Sequence, residues 1–202
     1  LNLLFLKKSA QFFFIPAFLP LANSRECIQT VGMKYPVLPL ILLFGFVGLA
    51  PSLRADPLDV GDDAPKVKTV DQDGNPVDLG KELAKGMTLV YFYPKADTPG
   101  CTKQACNLRD AFEDVTKAGI RVFGVSADTT EDQKKFAVKF HLPFTLLADH
   151  KGEVIRAFGV PTSHRGFASR QSFLVKDGKI IWRDLKATPT TQAEDAIAAA
   201  KK

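Results

Sequence analysis

The chain has 202 residues, 46% hydrophobic and 24% charged, with 27 basic and 22 acidic side chains for a net charge of +5. Lys7, Lys8, Arg25, Lys34 and Arg54 stand against Glu26 alone in the first 55 residues, which leaves residues 56–202 at +1. A nearly neutral remainder of that size fits one domain with a sizeable core, and it excludes a basic nucleic-acid-binding surface as the reason for the overall charge.

Residues 1–32 contain an apolar stretch, Gln11–Leu21, and read as an over-extended or untranslated leader with the true start at Met33. From there the pattern is that of a secretory signal peptide over residues 33–55. Lys34 forms a positive n-region, Val37–Ala50 is a 14-residue apolar h-region, and Pro51–Ala55 is a cleavage segment with Asp56 next. Fourteen apolar residues fall short of the roughly 20 that span a bilayer, so an uncleaved N-terminal anchor, with its membrane contact, is the second reading. Export places residues 56–202 in a periplasmic or other extracytoplasmic compartment. Cleavage removes Cys27 and leaves two cysteines where a disulfide can form.

After a polar lead-in, Val67–Val70 and Val77–Leu79 flank Asp73-Gly74 and predict a β-hairpin. Thr88–Tyr93 is an apolar run of β formers suited to a central strand, ended by Pro94. From Cys101 the spacing of Ala105, Leu108, Ala111, Phe112 and Val115 predicts one helix running to Gly119. Ile120–Ser126 is a second buried strand. Asp128–Glu131 caps a helix carrying Phe136, Ala137 and Phe140, and Phe144–Leu147 is a short strand. Val154–Phe158 reads as a helical turn. Ser172–Val175 and Ile180–Trp182 flank a second Asp-Gly turn, and an alanine-rich helix, Gln192–Lys201, closes the chain. Strands alternating with helices imply an α/β domain, a thioredoxin-like fold with a mixed central sheet, helices on both faces and an N-terminal β-hairpin.

The stretch with most chemistry is Tyr91–Cys106. A buried strand runs into a Pro- and Gly-containing turn, then a cysteine where a helix begins, then a second cysteine five residues on. Unpaired N–H groups and the helix dipole at such a position favour thiolate over thiol. His141, His150 and His164 have no metal-ligand spacing with the cysteines, and no glycine-rich phosphate loop is present, so no metal or organic cofactor is expected.

The segment YFYPKADTPGCTKQACNLRD, residues 91–110, resembles the active-site segment of the peroxiredoxins, and most closely the bacterioferritin-comigratory-protein or peroxiredoxin Q subfamily. The family pattern P-x-x-x-T-x-x-C falls on Pro94, Thr98 and Cys101, the subfamily's second cysteine on Cys106, and the family's later arginine on Arg170 in SRQSFL. The resemblance implies that Cys101 is a peroxidatic thiol and Cys106 its resolving partner. It gives Thr98 and Arg170 the task of placing donors at the sulfur and a peroxide, and Pro94 that of shielding the thiolate. It further implies hydrogen peroxide and organic hydroperoxides as substrates, a thioredoxin-like reductant and a monomer. Gln104 departs from the family, where glutamate is common at that position; an amide keeps a hydrogen bond but not the charge.

Helix geometry constrains the pair. Residues five apart on an intact helix have Cα atoms ~8.6 Å apart, whereas disulfides need about 4.4–6.8 Å. A static Cys101–Cys106 staple is therefore excluded while the helix is formed. Either the first turns unwind to close the bond, or Cys106 is an inert thiol and another thiol resolves the intermediate. Two other functions stay open from the residues alone. One is a thiol–disulfide oxidoreductase, although that class usually shows C-x-x-C; the other is a non-enzymatic redox sensor on the same fold.

Overall fold

The computed structural model describes residues 56–202; the leader, signal-peptide and anchor readings for residues 1–55 lie outside the described residues. The N-terminal hairpin pairs β1 (Lys68–Val70) with β2 (Pro76–Asp78) antiparallel, with Thr69 opposite Val77. Asp71 closes its turn by accepting from the backbone N–H groups of Asp73 and Asn75 at 2.9 and 2.8 Å. Leu79 does not belong to this hairpin, contrary to the sequence expectation. Asp78 accepts from Lys81 N–H and caps a short helix, α1 (Leu79–Leu83), whose Leu79 and Leu83 are one turn apart and fully buried.

The main sheet is made of β3 (Met87–Phe92), β4 (Ile120–Ser126), β5 (Thr145–Ala148), β6 (Gln171–Lys176) and β7 (Lys179–Asp184), in the order β5-β4-β3-β6-β7. β3, β4 and β5 run parallel, whereas β6 is antiparallel to both β3 and β7. The parallel steps require crossovers. These are supplied by α2 (Pro99–Asp110) with α3 (Phe112–Lys117), and by α4 (Thr130–Lys139). The β6–β7 turn has Asp177 and Gly178 both at positive φ, +48° and +82°, the combination a two-residue type I′ hairpin needs.

Alternation along β3 sorts its side chains onto two cores. Leu89 and Tyr91 pack with Ala105 and Leu108 of α2, Phe136 of α4, and Ala193 and Ala196 of the closing helix α6 (Gln192–Ala200). Val90 and Phe92 pack on the other face with α1 and with Val154, Ile155 and Phe158 on or beside α5 (Glu153–Ala157). There the rings of Phe92, Phe158 and Phe173 meet at centroid distances of 5.2–5.9 Å. Burying each such ring stabilises the fold by roughly 1.5–3 kcal/mol. The mixed sheet with helices on both faces is thus present as expected.

The single helix expected between residues 101 and 119 is broken at Ala111, whose φ of −96° and ψ of 13° leave the helical region. Ala111 still donates to Asn107 O and accepts from Val115 N–H, so the chain is kinked rather than released. The kink lets Phe112 meet the Phe144 ring at 6.1 Å. Apolar spacing continues across this bend, which is why it is invisible in the periodicity.

Candidate active site

The sheet topology brings the two halves of the site together. β3 ends at Phe92, Tyr93 makes one further bond to Val125 O, and Pro94 turns the chain out of the sheet. Because β6 is antiparallel to β3 and Phe92 pairs with Gln171, Arg170 arrives beside the loop that leaves β3. A separation of 69 residues collapses to a 3.4 Å hydrogen bond from Arg170 Nη2 to Cys101 Sγ.

The loop between Pro94 and Thr98 is held from outside. Ala96 N–H donates to Asp128 Oδ2 at 2.7 Å, and Ser126 Oγ donates to the same oxygen at 2.6 Å. Asp97 adopts φ +55°, a left-handed conformation that aspartate tolerates better than most residues, and Lys139 grips its carboxylate at 2.7 and 2.9 Å. Thr98 is the N-cap residue of α2 and Pro99 occupies the first helical position. The Thr98 hydroxyl is not spent on capping; it donates back to Lys95 O at 2.9 Å. Cys101 therefore lies in the first turn of the helix, 2% exposed, among N–H groups that have no intrahelical acceptor.

Gly100 has a local purpose. A Cβ there would stand 3.3 Å from Arg170 Nη2, so its absence gives the guanidinium clearance over the first turn. The other arm, Nη1, donates to Gln104 Oε1. Gln104 is fully buried and its own amide N–H donates to Gln192 Oε1 at the start of α6. The amide at position 104 thus keeps the acceptor that Arg170 uses. Cys106 lies further along α2, half-buried, and both thiols are free. The unbroken helix from Pro99 to Asp110 carries both, in agreement with the exclusion of a static staple. Asn107, one residue on, ties α2 to α6 by donating to Thr190 O at 3.0 Å and accepting from Ala193 N–H at 2.9 Å.

Of the residues singled out from sequence, Cys101, Arg170 and Thr98 meet around the first turn of α2. Pro94 closes the strand that leads there, and Cys106 is held apart by the intact helix. Sequence reasoning missed the parts played by Gly100 and Gln192. A lone glutamine opening an alanine-rich helix carries no signal of its own. Among the described residues no three His, Cys, Asp or Glu side chains cluster as a metal set would.

Residues 60–183 match the AhpC/TSA family. The chain is 45% identical over 143 residues to peroxiredoxin Bcp of Escherichia coli (strain K12), covering 66% of this chain and 90% of that protein. The chain belongs to the AhpC/TSA family, in its Bcp/peroxiredoxin Q branch. A chloroplastic peroxiredoxin Q of Sedum lineare is 43% identical over 122 residues, 60% of this chain and 65% of that protein. Among solved structures, peroxidoxin BcpB of Mycobacterium tuberculosis superposes with a TM-score of 0.67 at 31% identity, covering 71% of this chain and 97% of that one. The bacterioferritin comigratory protein of Xanthomonas campestris, described for its alkyl peroxide reduction activity, superposes at 0.63 and 25% identity over 71% of this chain and 96% of that one. As in those peroxiredoxins, the fold here is a thioredoxin-like mixed sheet flanked by helices.

Proposed function

We propose that this chain is a thiol-dependent peroxidase that reduces hydrogen peroxide and organic hydroperoxides, with Cys101 as the attacking thiol. The observation that carries the reading is the 3.4 Å contact between Arg170 Nη2 and a buried cysteine sulfur in the first turn of α2. A fixed guanidinium and helix N–H groups are suited to an anionic sulfur and to the charge that develops on a breaking O–O bond. The Cys101 thiolate attacks the terminal peroxide oxygen, the O–O bond breaks, and the departing oxygen leaves with a proton as water or alcohol. The cysteine becomes a sulfenic acid. Arg170 orients the peroxide by donating to it, the Thr98 hydroxyl, whose proton goes to Lys95 O, offers its oxygen as an acceptor, and Pro94 limits the access of water.

Cys106 then condenses with the sulfenic acid, forming an S–S bond and releasing a second water. Both cysteines share α2, so this step needs the helix to unwind between them. An external dithiol of thioredoxin type reduces the disulfide by exchange. The signal-like pattern over residues 33–55 supports work outside the cytoplasm, and the likeness to the subfamily supports a monomer.

Single-turnover peroxide consumption by the pre-reduced full chain tests the reading, with a dithiol regenerating system for turnover. Cys101→Ser should abolish consumption; retained activity in that variant would remove Cys101 from the mechanism. Cys106→Ser should still oxidise once but form no intramolecular disulfide by mass spectrometry. For the export reading, sequencing the N-terminus of protein from its native cell should find Asp56 first, and finding any of residues 1–32 would exclude a start at Met33.

A further inference from the structure

Arg170 has donors only, so the end of the Gln104 amide that faces it decides whether the contact attracts or repels. An isolated buried glutamine offers two orientations that differ by exchange of oxygen and NH2. Here the guanidinium draws the oxygen, and the other end of the amide is held in place by a residue far along the chain. Gln104 presents its oxygen to Arg170 and its NH2 to Gln192 Oε1, and Gln192 in turn presents its NH2 to Ser172 Oγ on β6. The hydrogen bonds run head to tail from the guanidinium through both amides to the sheet. Gln104 and Ser172 are 0% exposed and Gln192 is 2% exposed, so solvent is not at hand to replace a missing acceptor.

We propose that Gln192, at the start of the closing helix, is a positioning residue for the reactive thiol. It acts through Gln104 to hold the Arg170 guanidinium against Cys101. The proposal rests on the peroxidase reading above. With Gln192 replaced by an apolar side chain, the Gln104 NH2 has no acceptor and the amide loses its anchor at the far end. Its oxygen is then no longer held in place, and the guanidinium that it positions is free to drift from the sulfur. A carboxylate at position 104 has two acceptor oxygens and no donor, so its contact with Arg170 does not depend on what stands at position 192. The chain thus uses two glutamines to fix an orientation that a single carboxylate would fix by itself.

A double-mutant cycle on the full chain tests this, reading the single-turnover rate constant for Cys101 oxidation by hydrogen peroxide. Gln192→Met should slow oxidation about tenfold, as misplacement of an orienting group does. The same change in the Gln104→Glu background should cost less than about threefold, because the carboxylate needs no partner to orient it. A general loss of packing would slow both backgrounds alike, so equal slowing in the two overturns the proposal, as does an unchanged rate in Gln192→Met. Lack of peroxide reactivity in the unsubstituted protein would bring down both readings, whereas a reactive parent with no coupling between positions 104 and 192 brings down only this one.

Discussion

Replacing Arg170 by lysine keeps the charge and removes the fork. In the structure the guanidinium serves two acceptors at once, Cys101 Sγ at 3.4 Å through Nη2 and Gln104 Oε1 through Nη1. A lysine ammonium is a single point on a flexible stem and can satisfy one of them at a time. Losing one hydrogen bond that involves a charged group costs about 1.5–3 kcal/mol. At ~1.4 kcal/mol per factor of ten in rate, that range spans about 10- to 100-fold if the bond is made fully in the transition state. The expected result for Arg170→Lys is therefore oxidation roughly 30-fold slower, from the middle of that range. The assay is stopped-flow mixing of pre-reduced full chain with increasing hydrogen peroxide, the slope of observed rate against concentration giving the second-order constant. A slope within threefold of the parent would show that positive charge alone suffices, and that the two-armed contact does not set the rate.

Other consequences are open to direct measurement. Gly100→Ala places a Cβ 3.3 Å from Arg170 Nη2, and should slow peroxide oxidation about tenfold with little change in thermal midpoint; an unaltered rate would mean the guanidinium yields freely. Tyr91 and Tyr93 behave oppositely despite stacking on each other. The Tyr91 hydroxyl is buried with no partner among the described residues, so Tyr91→Phe should stabilise the protein by about 1 kcal/mol in urea unfolding. Tyr93 donates to Gln133, and Tyr93→Phe should destabilise by about 1 kcal/mol. Burial pushes both phenols well above the ordinary tyrosine range. Their contribution to stability is therefore complete below the unfolded value near pH ~10 and falls as pH rises beyond it. Tyr91→Phe should flatten that alkaline loss, and an unchanged pH profile would argue against the buried phenol. Gly159 sits at φ +66°, and a Cβ there would come 2.0 Å from Asp56 O. Gly159→Ala should lower stability by about 2 kcal/mol or more by calorimetry.

Much of the site is legible in the sequence because its chemistry is local. A strand, a proline, a turn and a cysteine lie within eleven residues, and the residue types fix where the strand stops and where helix N–H groups are left unpaired. The exclusion of a static Cys101–Cys106 bond likewise needs only the rise and twist of one helix. The apolar run at β3 and the two Asp-Gly turns give the strands and hairpins to within a residue or two. Tertiary structure decided the rest. Arg170 reaches Cys101 only because β6 returns antiparallel beside β3, a pairing that no short-range pattern contains. The start of α1 at Leu79 and the bend at Ala111 were set by a cap and by ring packing that apolar spacing does not distinguish from strand or straight helix. The state of Gln104 was also decided in three dimensions. In the sequence it is a neutral residue where an acid is common, whereas in the fold a second buried amide from the far end of the chain gives it a direction.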